Sequence, residues 1–382
     1  MSLFNKRIGI IGGGQLGKMM IQEAKKMGFY VSILDPDAHC TASSLVDEHI
    51  VASFDDKEAI LKLADISDVI TYEFEHINVE ALFEAEKLKP VYPAVKSLEI
   101  IQDKYKQNQA LFNAGVHIPK FAKVESIEDI KKQGEILGFP LMLKAAKGGY
   151  DGKGNFFIKN ADKVEEGFVA LGSGKISLFV EEFVDFNIEI STLACRGIDG
   201  DIVIYPIAEN THKNEVLNET KVPAAISDDM AEKAMGVAKK VMQLFEGVGM
   251  FCVEMFACKD GSVLVNEIAP RPHNSGHFSI EACYTSQFEN HIRAIVGLPL
   301  GSTKLISPVS MFNILGEQSG KAEWQNCDKA LQIEGVNLHI YGKNEVRPKR
   351  KMGHITALAD SVENASAKAK QAYEYIQIMG VN

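Results

Sequence analysis

Apolar and polar positions alternate in two different rhythms along the first ninety residues. Arg7–Ile11 and Tyr30–Leu34 are short apolar runs, and the stretch between them, from Gln15 to about Gly28, has helical spacing. The strand signal returns at Ile50-Val51 and at residues 68–74, and the helical one at residues 57–64. Strand–helix alternation of this kind predicts an open parallel sheet covered by helices. Tyr92-Pro93 closes the unit, and residues 94–113 read as one helix containing Lys104. Phe121–Val124 is then a predicted strand, and residues 126–137 a helix with Ser126 as its N-cap. Residues 140–146 and 155–159 read as strands, as do residues 176–184, 187–195 and 201–210. Asp228–Phe245 is amphipathic, with Met230, Ala234, Val237, Ala238, Val241 and Leu244 on one face. Residues 249–259 and 262–268 flank Asp260-Gly261, a tight-turn pair, and so form a predicted hairpin. Residues 289–296 look helical and stop at Gly297-Leu298-Pro299. Val309–Leu315 and residues 338–342 and 354–358 are predicted strands, and residues 364–379 the last helix.

Composition narrows the function classes. The 382 residues allow two or three domains. A formal net charge of −10 argues against non-specific nucleic-acid binding, which needs a basic footprint. The six cysteines are scattered without a Cys-x-x-Cys pair, so they read as reduced thiols, neither a disulfide frame nor a zinc site. With no apolar run long enough to span a bilayer and no signal-peptide pattern, a cytoplasmic protein is expected.

The candidate chemistry is concentrated in the predicted hairpin. Glu254 stands on its first strand and Glu267 on the second, beside Asn266. Two carboxylates on paired strands can share a hard cation through oxygen ligands. The second strand breaks into Pro270-Arg271-Pro272-His273-Asn274, where two prolines stiffen a turn that carries Arg271, His273 and the Asn274 amide. A cation site touching a small anion site suggests a metal-bound nucleotide meeting an oxyanion.

Other stretches bear on phosphate. Gly12-Gly13-Gly14-Gln15-Leu16-Gly17, with Asp35 after the next strand, has the form of a dinucleotide fingerprint, although its backbone amides would accept any phosphate. Glu73, in Thr71-Tyr72-Glu73-Phe74-Glu75, is expected at the carboxyl end of a parallel strand, where ligands bind in open α/β sheets. Lys144 has apolar strand neighbours, so its ammonium needs an anionic partner or a route to water. Gly148, Gly149, Gly152 and Gly154 make residues 147–155 either a mobile phosphate-covering loop or a glycine-rich hairpin turn. Glu181-Glu182-Phe183-Val184 is a strand edge able to offer backbone groups to a purine. Lys343 and the cluster Arg347-Pro348-Lys349-Arg350-Lys351 form either a solvated surface or a phosphate clamp.

The order of these features resembles the ATP-grasp ligases. Within them, the glycine loop at 12–17, Thr71-Tyr72-Glu73-Phe74-Glu75, Gly149-Tyr150-Asp151-Gly152-Lys153-Gly154, the string from Asn266 to His277 and Arg350-Lys351-Met352-Gly353-His354 together resemble the 5-(carboxyamino)imidazole ribonucleotide synthase family of purine biosynthesis. Lys153 is a departure, since many members carry arginine there; the charge is kept and bidentate geometry is lost. The resemblance implies an α/β protein of three parts: a Rossmann-like domain at 1–97, an ATP-grasp domain at 98–298 with a lid at about 119–178, and a small β-rich domain at 301–382. It implies ATP, magnesium, bicarbonate and 5-aminoimidazole ribonucleotide as ligands, and a homodimer. It places ATP against Lys104, Lys144, residues 149–155, Glu181, Glu182, Phe183, Val184, Glu189, His212, Asn266 and Glu267, with magnesium on Glu254 and Glu267. Residues 149–155 here include Tyr150, Asp151, Gly152, Lys153, Gly154 and Asn155. It assigns bicarbonate and catalysis to Arg271, His273 and Asn274 with Tyr150, Asp151 and Lys153, and the ribonucleotide to Gly14, Gln15, Leu16, Gly17, Glu73, Lys343 and Arg350. Three rival readings are an NAD-dependent dehydrogenase, suggested by the first glycine loop and Asp35, another ATP-grasp ligase, and a nucleotide sensor without turnover.

Overall fold

The computed structural model describes residues 3–149, 154–245 and 247–381. Its chain begins with β1 (Arg7–Ile11), α1 (Gln15–Lys26), β2 (Tyr30–Leu34), β3 (Glu48–Ile50), α2 (Lys57–Ile66), β4 (Val69–Tyr72) and α3 (Val79–Glu86). The four strands pair in parallel in the order β3-β2-β1-β4. Ile8 and Ile10 pack on one face against Met20 and Ile21 of α1, while Ile11 and Leu34 pack on the other against Ile60 and Leu63 of α2. Burial on both faces is why these strands read as continuous apolar runs. Asp56 and Asn78 start α2 and α3 by accepting from backbone amides three residues on.

The single helix expected over 94–113 is two. α4 (Val95–Ile101) ends before Asp103, whose extended backbone and carboxylate, accepting from the Lys106 amide, begin α5 (Lys104–Asn113) afresh. Lys104 is therefore the first residue of a helix. Next come β5 (Phe121–Val124), α6 (Ile127–Leu137), β6 (Leu141–Ala145), β7 (Asn155–Ile158), α7 (Val164–Ala170) and β8 (Leu178–Glu182), whose strands form an antiparallel sheet ordered β5-β8-β6-β7. Ser126 caps α6 in a reciprocal capping box with Asp129. Tyr150, Asp151, Gly152 and Lys153, the heart of the second glycine loop, lie outside the described residues.

The remainder is organised by one long sheet. Its strands come from β9 (Phe186–Arg196), β10 (Ile202–Ile204), β11 (Ala208–Lys213) and β12 (Val216–Val222), then, after α8 (Asp228–Phe245), from β13 (Gly249–Cys258) and β14 (Val263–Ala269). After α9 (Ser279–Ala282) and α10 (Gln287–Val296) come β15 (Val309–Leu315), β16 (Gly320–Gln325), α11 (Cys327–Leu331), β17 (Val336–Ile340), β18 (Glu345–Val346), β19 (Lys351–Leu358), α12 (Val362–Tyr375) and β20 (Gln377–Val381). The order is β14-β13-β9-β11-β12-β15-β19-β17, with β10 added to β9. Through the β12–β15 pairing, Val222 beside Val309, the sheet runs across the boundary expected near residue 300. α8 covers one face, where Ala234, Ala238 and Val241 cluster with Phe251, Val253 and Met255.

Two further expectations are corrected. The strand read over 201–210 is divided between β10 and β11; Pro206, which has no amide to donate, sits in the break. The last helix stops at Tyr375, and Ile376 turns extended into β20, which pairs with β16 in a small sheet ordered β18-β16-β20. All six cysteines are free thiols. Among the described residues, no helix is long and apolar enough to cross a membrane.

Candidate active site

A cavity of about 1190 Å³ opens where the parallel sheet, the long sheet and the C-terminal segment meet. Its floor is the β13–β14 hairpin. Glu254 and Glu267 stand directly opposite each other in the antiparallel register, and the ladder shifts immediately after Glu254. Burial, then Glu267, push the Glu254 carboxyl up to about 7. Lys104 Nζ lies 3.0 Å from Glu267 Oε2. Burial alone would depress that ammonium, yet Glu267, Glu181 and Glu254 together hold it above its ordinary value. The restart of the helix at Asp103 thus delivers one cation to the carboxylate pair. His212 on β11 is paired with Glu189 on β9; burial opposes its charge, but the Glu189 hydrogen bond wins and its pKa is raised.

The pair fits a hard divalent cation. Its donors are all oxygen, and the upward push on the Glu254 carboxyl from burial and Glu267 marks a charge in need of compensation. Among the described residues, no group of three or more histidine, cysteine, aspartate or glutamate side chains is placed to hold a metal alone. Magnesium at such a pair would take its other ligands from substrate phosphates and water, its usual habit.

The turn after β14 supplies the opposite chemistry. Arg271 Nε is ion-paired to Glu75 Oε1 at 2.7 Å, which ties the turn to the end of β4. His273 Nε2 faces Glu254 Oε1 at 3.7 Å. Burial, then Arg271, hold the His273 imidazole well below its ordinary pKa, so it is neutral. Asn274 is buried and exchanges hydrogen bonds with Asn313: each amide nitrogen donates to the other's oxygen, at 3.0 and 2.7 Å. Asn274 also lines the cavity.

The first glycine loop departs from its phosphate reading. The Gly14 amide donates to Glu73 Oε1 at 2.5 Å and the Gly17 amide to Glu73 Oε2 at 2.6 Å, while the Gly13 amide donates to Asp35 Oδ2 at 2.8 Å. The seat for a pyrophosphate at the start of α1 is filled by the chain's own carboxylates, and Asp35 is not free for a ribose. A Cβ on Gly14 would lie 2.6 Å from Glu73 Oε1, so the glycine serves this internal contact. Both findings count against the dehydrogenase. Gly14, Gln15, Leu16 and Glu73 nevertheless line the cavity; Gly17 does not.

Lys144 has the anionic partner that its apolar strand demands, but the partner is protein: its Nζ lies 2.5 Å from Glu181 Oε2 on β8, and Asn108 Nδ2 donates to Glu181 Oε1 at 2.7 Å. Lys144, Gly154, Glu181, Glu182, Phe183 and Val184 are not on the cavity wall, whereas Gly149, Asn155, Glu189, His212, Glu254, Asn266 and Glu267 are. With side-chain exposures of 11% and 6%, the Lys144–Glu181 pair makes a stability prediction. Glu181→Ala leaves a buried ammonium uncompensated and should cost roughly 3–5 kcal/mol in urea unfolding. A loss under about 1 kcal/mol would mean that Lys144 reaches water instead.

Lys343 and Arg350 both reach the cavity from the segment between β17 and β19. Lys343 Nζ donates to Gln15 Oε1 and to the Lys351 carbonyl, each at 2.7 Å, so the C-terminal segment is laced to the first glycine loop. Arg350 Nη1 donates to the Glu345 carbonyl at 2.7 Å. Sequence reasoning passed over Asn313 and named Glu75 and Lys351 only within their motifs, with no role of their own, yet all three belong to this neighbourhood. Glu75 was visible as an acidic strand end, but its link to Arg271 spans nearly two hundred residues and has no local signal.

Family comparisons divide the chain in the same order. The ribonucleotide synthetase preATP-grasp domain matches residues 5–102, the ATP-grasp domain residues 109–288, and the phosphoribosylaminoimidazole carboxylase C-terminal domain residues 310–368. The chain is 42% identical over 349 residues to N5-carboxyaminoimidazole ribonucleotide synthase of Bacillus subtilis, covering 91% of this chain and 90% of that one. The crystal structure of the Thermotoga maritima N5-carboxyaminoimidazole ribonucleotide synthetase superposes with a TM-score of 0.90 at 45% identity, covering 98% and 100% of the two chains. The Aspergillus clavatus N5-carboxyaminoimidazole synthase, solved with ADP and 5-aminoimidazole ribonucleotide, superposes with a TM-score of 0.91 at 32% identity, covering 98% and 99%.

Proposed function

As the chain belongs to the ATP-grasp family of N5-carboxyaminoimidazole ribonucleotide synthases, we propose that it uses ATP to carboxylate 5-aminoimidazole ribonucleotide with bicarbonate, a step of purine biosynthesis. The observation that carries the reading is one cavity in which a carboxylate pair suited to a cation adjoins a turn suited to a small oxyanion. A bicarbonate oxygen attacks the γ-phosphorus, ADP leaves, and carboxyphosphate forms. Its carboxyl group passes to the substrate amine as a carbamate, and phosphate is released. Bound substrates filling the cavity would keep water from the labile mixed anhydride.

Lys104, already in the carboxylate field, would offset phosphate charge, and Glu254 and Glu267 would hold magnesium. When bound, magnesium supplies charge neutralisation on the transferred phosphoryl group. Lys144 would reach a phosphate by sharing its charge between Glu181 and ATP. The backbone from Glu181 to Val184 would face adenine, and Glu189 and His212 the rest of the nucleoside. Arg271, His273 and Asn274 would orient bicarbonate. Lys343 and Arg350 would clamp the ribonucleotide phosphate, with Gln15 and Glu73 beneath its other groups. Roles for Tyr150, Asp151 and Lys153 rest on the resemblance. A homodimer and a cytoplasmic location complete the proposal; free thiols are compatible with the latter.

The test is ADP release from the pure protein with each component omitted in turn. Release is expected to need bicarbonate and to rise when the ribonucleotide is added. ADP release indifferent to bicarbonate would overturn the reading. ATP binding without turnover would favour the sensor, and tight NADH binding without ATP chemistry the dehydrogenase.

A further inference from the structure

Behind His273 runs a line of buried hydroxyls and amides that touches no cavity surface beyond Asn210. Thr220 Oγ1 on β12 donates to Asn210 Oδ1 on β11 at 2.9 Å. Asn210 Nδ2 donates to Ser191 Oγ on β9 at 2.8 Å. Ser191 Oγ donates to Ser275 Oγ at 2.9 Å, and Ser275 Oγ lies 3.0 Å from His273 Nδ1. Ser191, Thr220 and Ser275 are each no more than 1% exposed.

The direction of this line follows from counting protons. Each hydroxyl has one hydrogen to give. Ser191 accepts from the Asn210 amide, so its proton goes to Ser275. Ser275 accepts that proton and has one of its own to give; His273 Nδ1, at 3.0 Å, is a nearer acceptor than Cys252 Sγ, at 3.6 Å. A second, independent contact says the same: the Ser275 backbone N–H, which can only donate, points at Nδ1 at 3.3 Å. Nδ1 is an acceptor on both counts. In a neutral ring the proton is then on Nε2, the atom that faces Glu254 and the cavity.

We propose that Thr220, Asn210, Ser191 and Ser275 are positioning residues that lock His273 as the uncharged Nε2–H tautomer, so that the site offers its oxyanion a hydrogen-bond donor without a second full positive charge beside Arg271. The inference rests on the reading of this turn as the bicarbonate seat. Its chemical sense lies in the neighbours. His273 is faced by Arg271 and His277 from its own segment, His212 from β11, Lys351 from β19 and Glu254 from β13. An imidazolium there would raise an already cationic corner and pair with Glu254, drawing that carboxylate away from the cation it is suited to hold. A donor that stays neutral orients the anion and leaves the carboxylate available. The line also couples three strands of the long sheet to one ring, so the ring's plane is set by the fold rather than by the ligand.

Nitrogen NMR of the full chain labelled with ¹⁵N-histidine tests this apart from catalysis, with the His273 signals identified by their loss in His273→Gln. Between about pH 6 and 8, Nδ1 should resonate as an imine-type acceptor and Nε2 as a proton-bearing nitrogen. A proton on Nδ1, or an imidazolium across that range, would overturn the proposal outright. In Ser275→Ala, Nδ1 keeps only the backbone N–H at 3.3 Å and should shift toward a weakly bonded imine, and Ser275→Thr should restore it. ADP release in Ser275→Ala at saturating bicarbonate should fall about tenfold, as for one lost hydrogen bond, with the Michaelis constant for ATP unchanged. An unmoved Nδ1 signal in Ser275→Ala would sink the relay. A moved signal with full turnover would leave the relay standing and remove His273 from the bicarbonate seat, which separates the two failures.

Discussion

Glu254→Gln is expected to yield a more stable protein that scarcely turns over. Glu254 is half-buried beside Glu267, and its carboxyl is raised from 4.5 to about 7. Between those values the folded chain keeps a proton that the unfolded chain has released. The folded state therefore binds more protons, and stability falls as pH rises through that window. Below it both states are protonated and the residue costs nothing. Above about 7 the full penalty of a half-buried, like-charged carboxylate is present. Glutamine cannot ionise, so at about pH 8 the variant should gain on the order of 2–3 kcal/mol, and near pH 4 it should match the parent. Turnover should fall roughly a thousandfold. Losing a cation ligand removes several kcal/mol of transition-state stabilisation, at about 1.36 kcal/mol per tenfold. Thermal unfolding at the two pH values, beside ADP release at saturating magnesium, checks both halves. Equal stability at pH 8 would mean that the pair is already compensated within the protein. Retained turnover would remove Glu254 from the metal site.

Arg350→Ala should separate the two halves of the reaction. Lys343 and Arg350 converge on the cavity from one C-terminal segment, whereas the carboxylate pair and Lys104 approach from the long sheet and α5. Arg350 is held by the Glu345 carbonyl through one guanidinium nitrogen, which leaves the rest of its fork for two phosphate oxygens. A lost charge-assisted contact costs roughly 1.5–3 kcal/mol, or about ten- to a hundredfold. The Michaelis constant for the ribonucleotide should rise by that factor, and the constant for ATP by far less. Lys343→Met should do the same, with an added loss of stability from its ties to Gln15 and the Lys351 carbonyl. Equal rises for both substrates in Arg350→Ala would move the ribonucleotide phosphate elsewhere.

What could be read from the chain alone divides by distance along it. The β13–β14 hairpin, the capping of α6 by Ser126 and the inner face of α8 rest on neighbours within a few turns, and local rules reach them. The facing of Glu254 and Glu267 followed from the hairpin itself. Two local signals were present but outweighed: Asp103, a cap inside an apparently continuous helix, and Pro206, an interruption inside an apparently continuous strand. The occupant of the first glycine loop was out of reach. The loop advertises free amides, and only the closure of β1 against β4 brings Glu73 onto them. The same holds for Ser191, Asn210 and Thr220. Isolated polar residues on apolar strands carry no mark of a shared line until the strands are ordered side by side.

The long sheet has a consequence for how this chain could be divided. β12 is paired on one side by β11 and on the other by β15, so the last third of the sequence completes the backbone ladder of the middle third. A stop codon or a protease cut near residue 300 would free one whole side of β12, from Glu219 to Val222, and present its bare amides and carbonyls to solvent. Such an edge is a template for self-association. The C-terminal segment thus works as a selvedge that keeps the cloth from fraying. It cannot be traded between proteins as a detachable module, because its partner would be left unfinished.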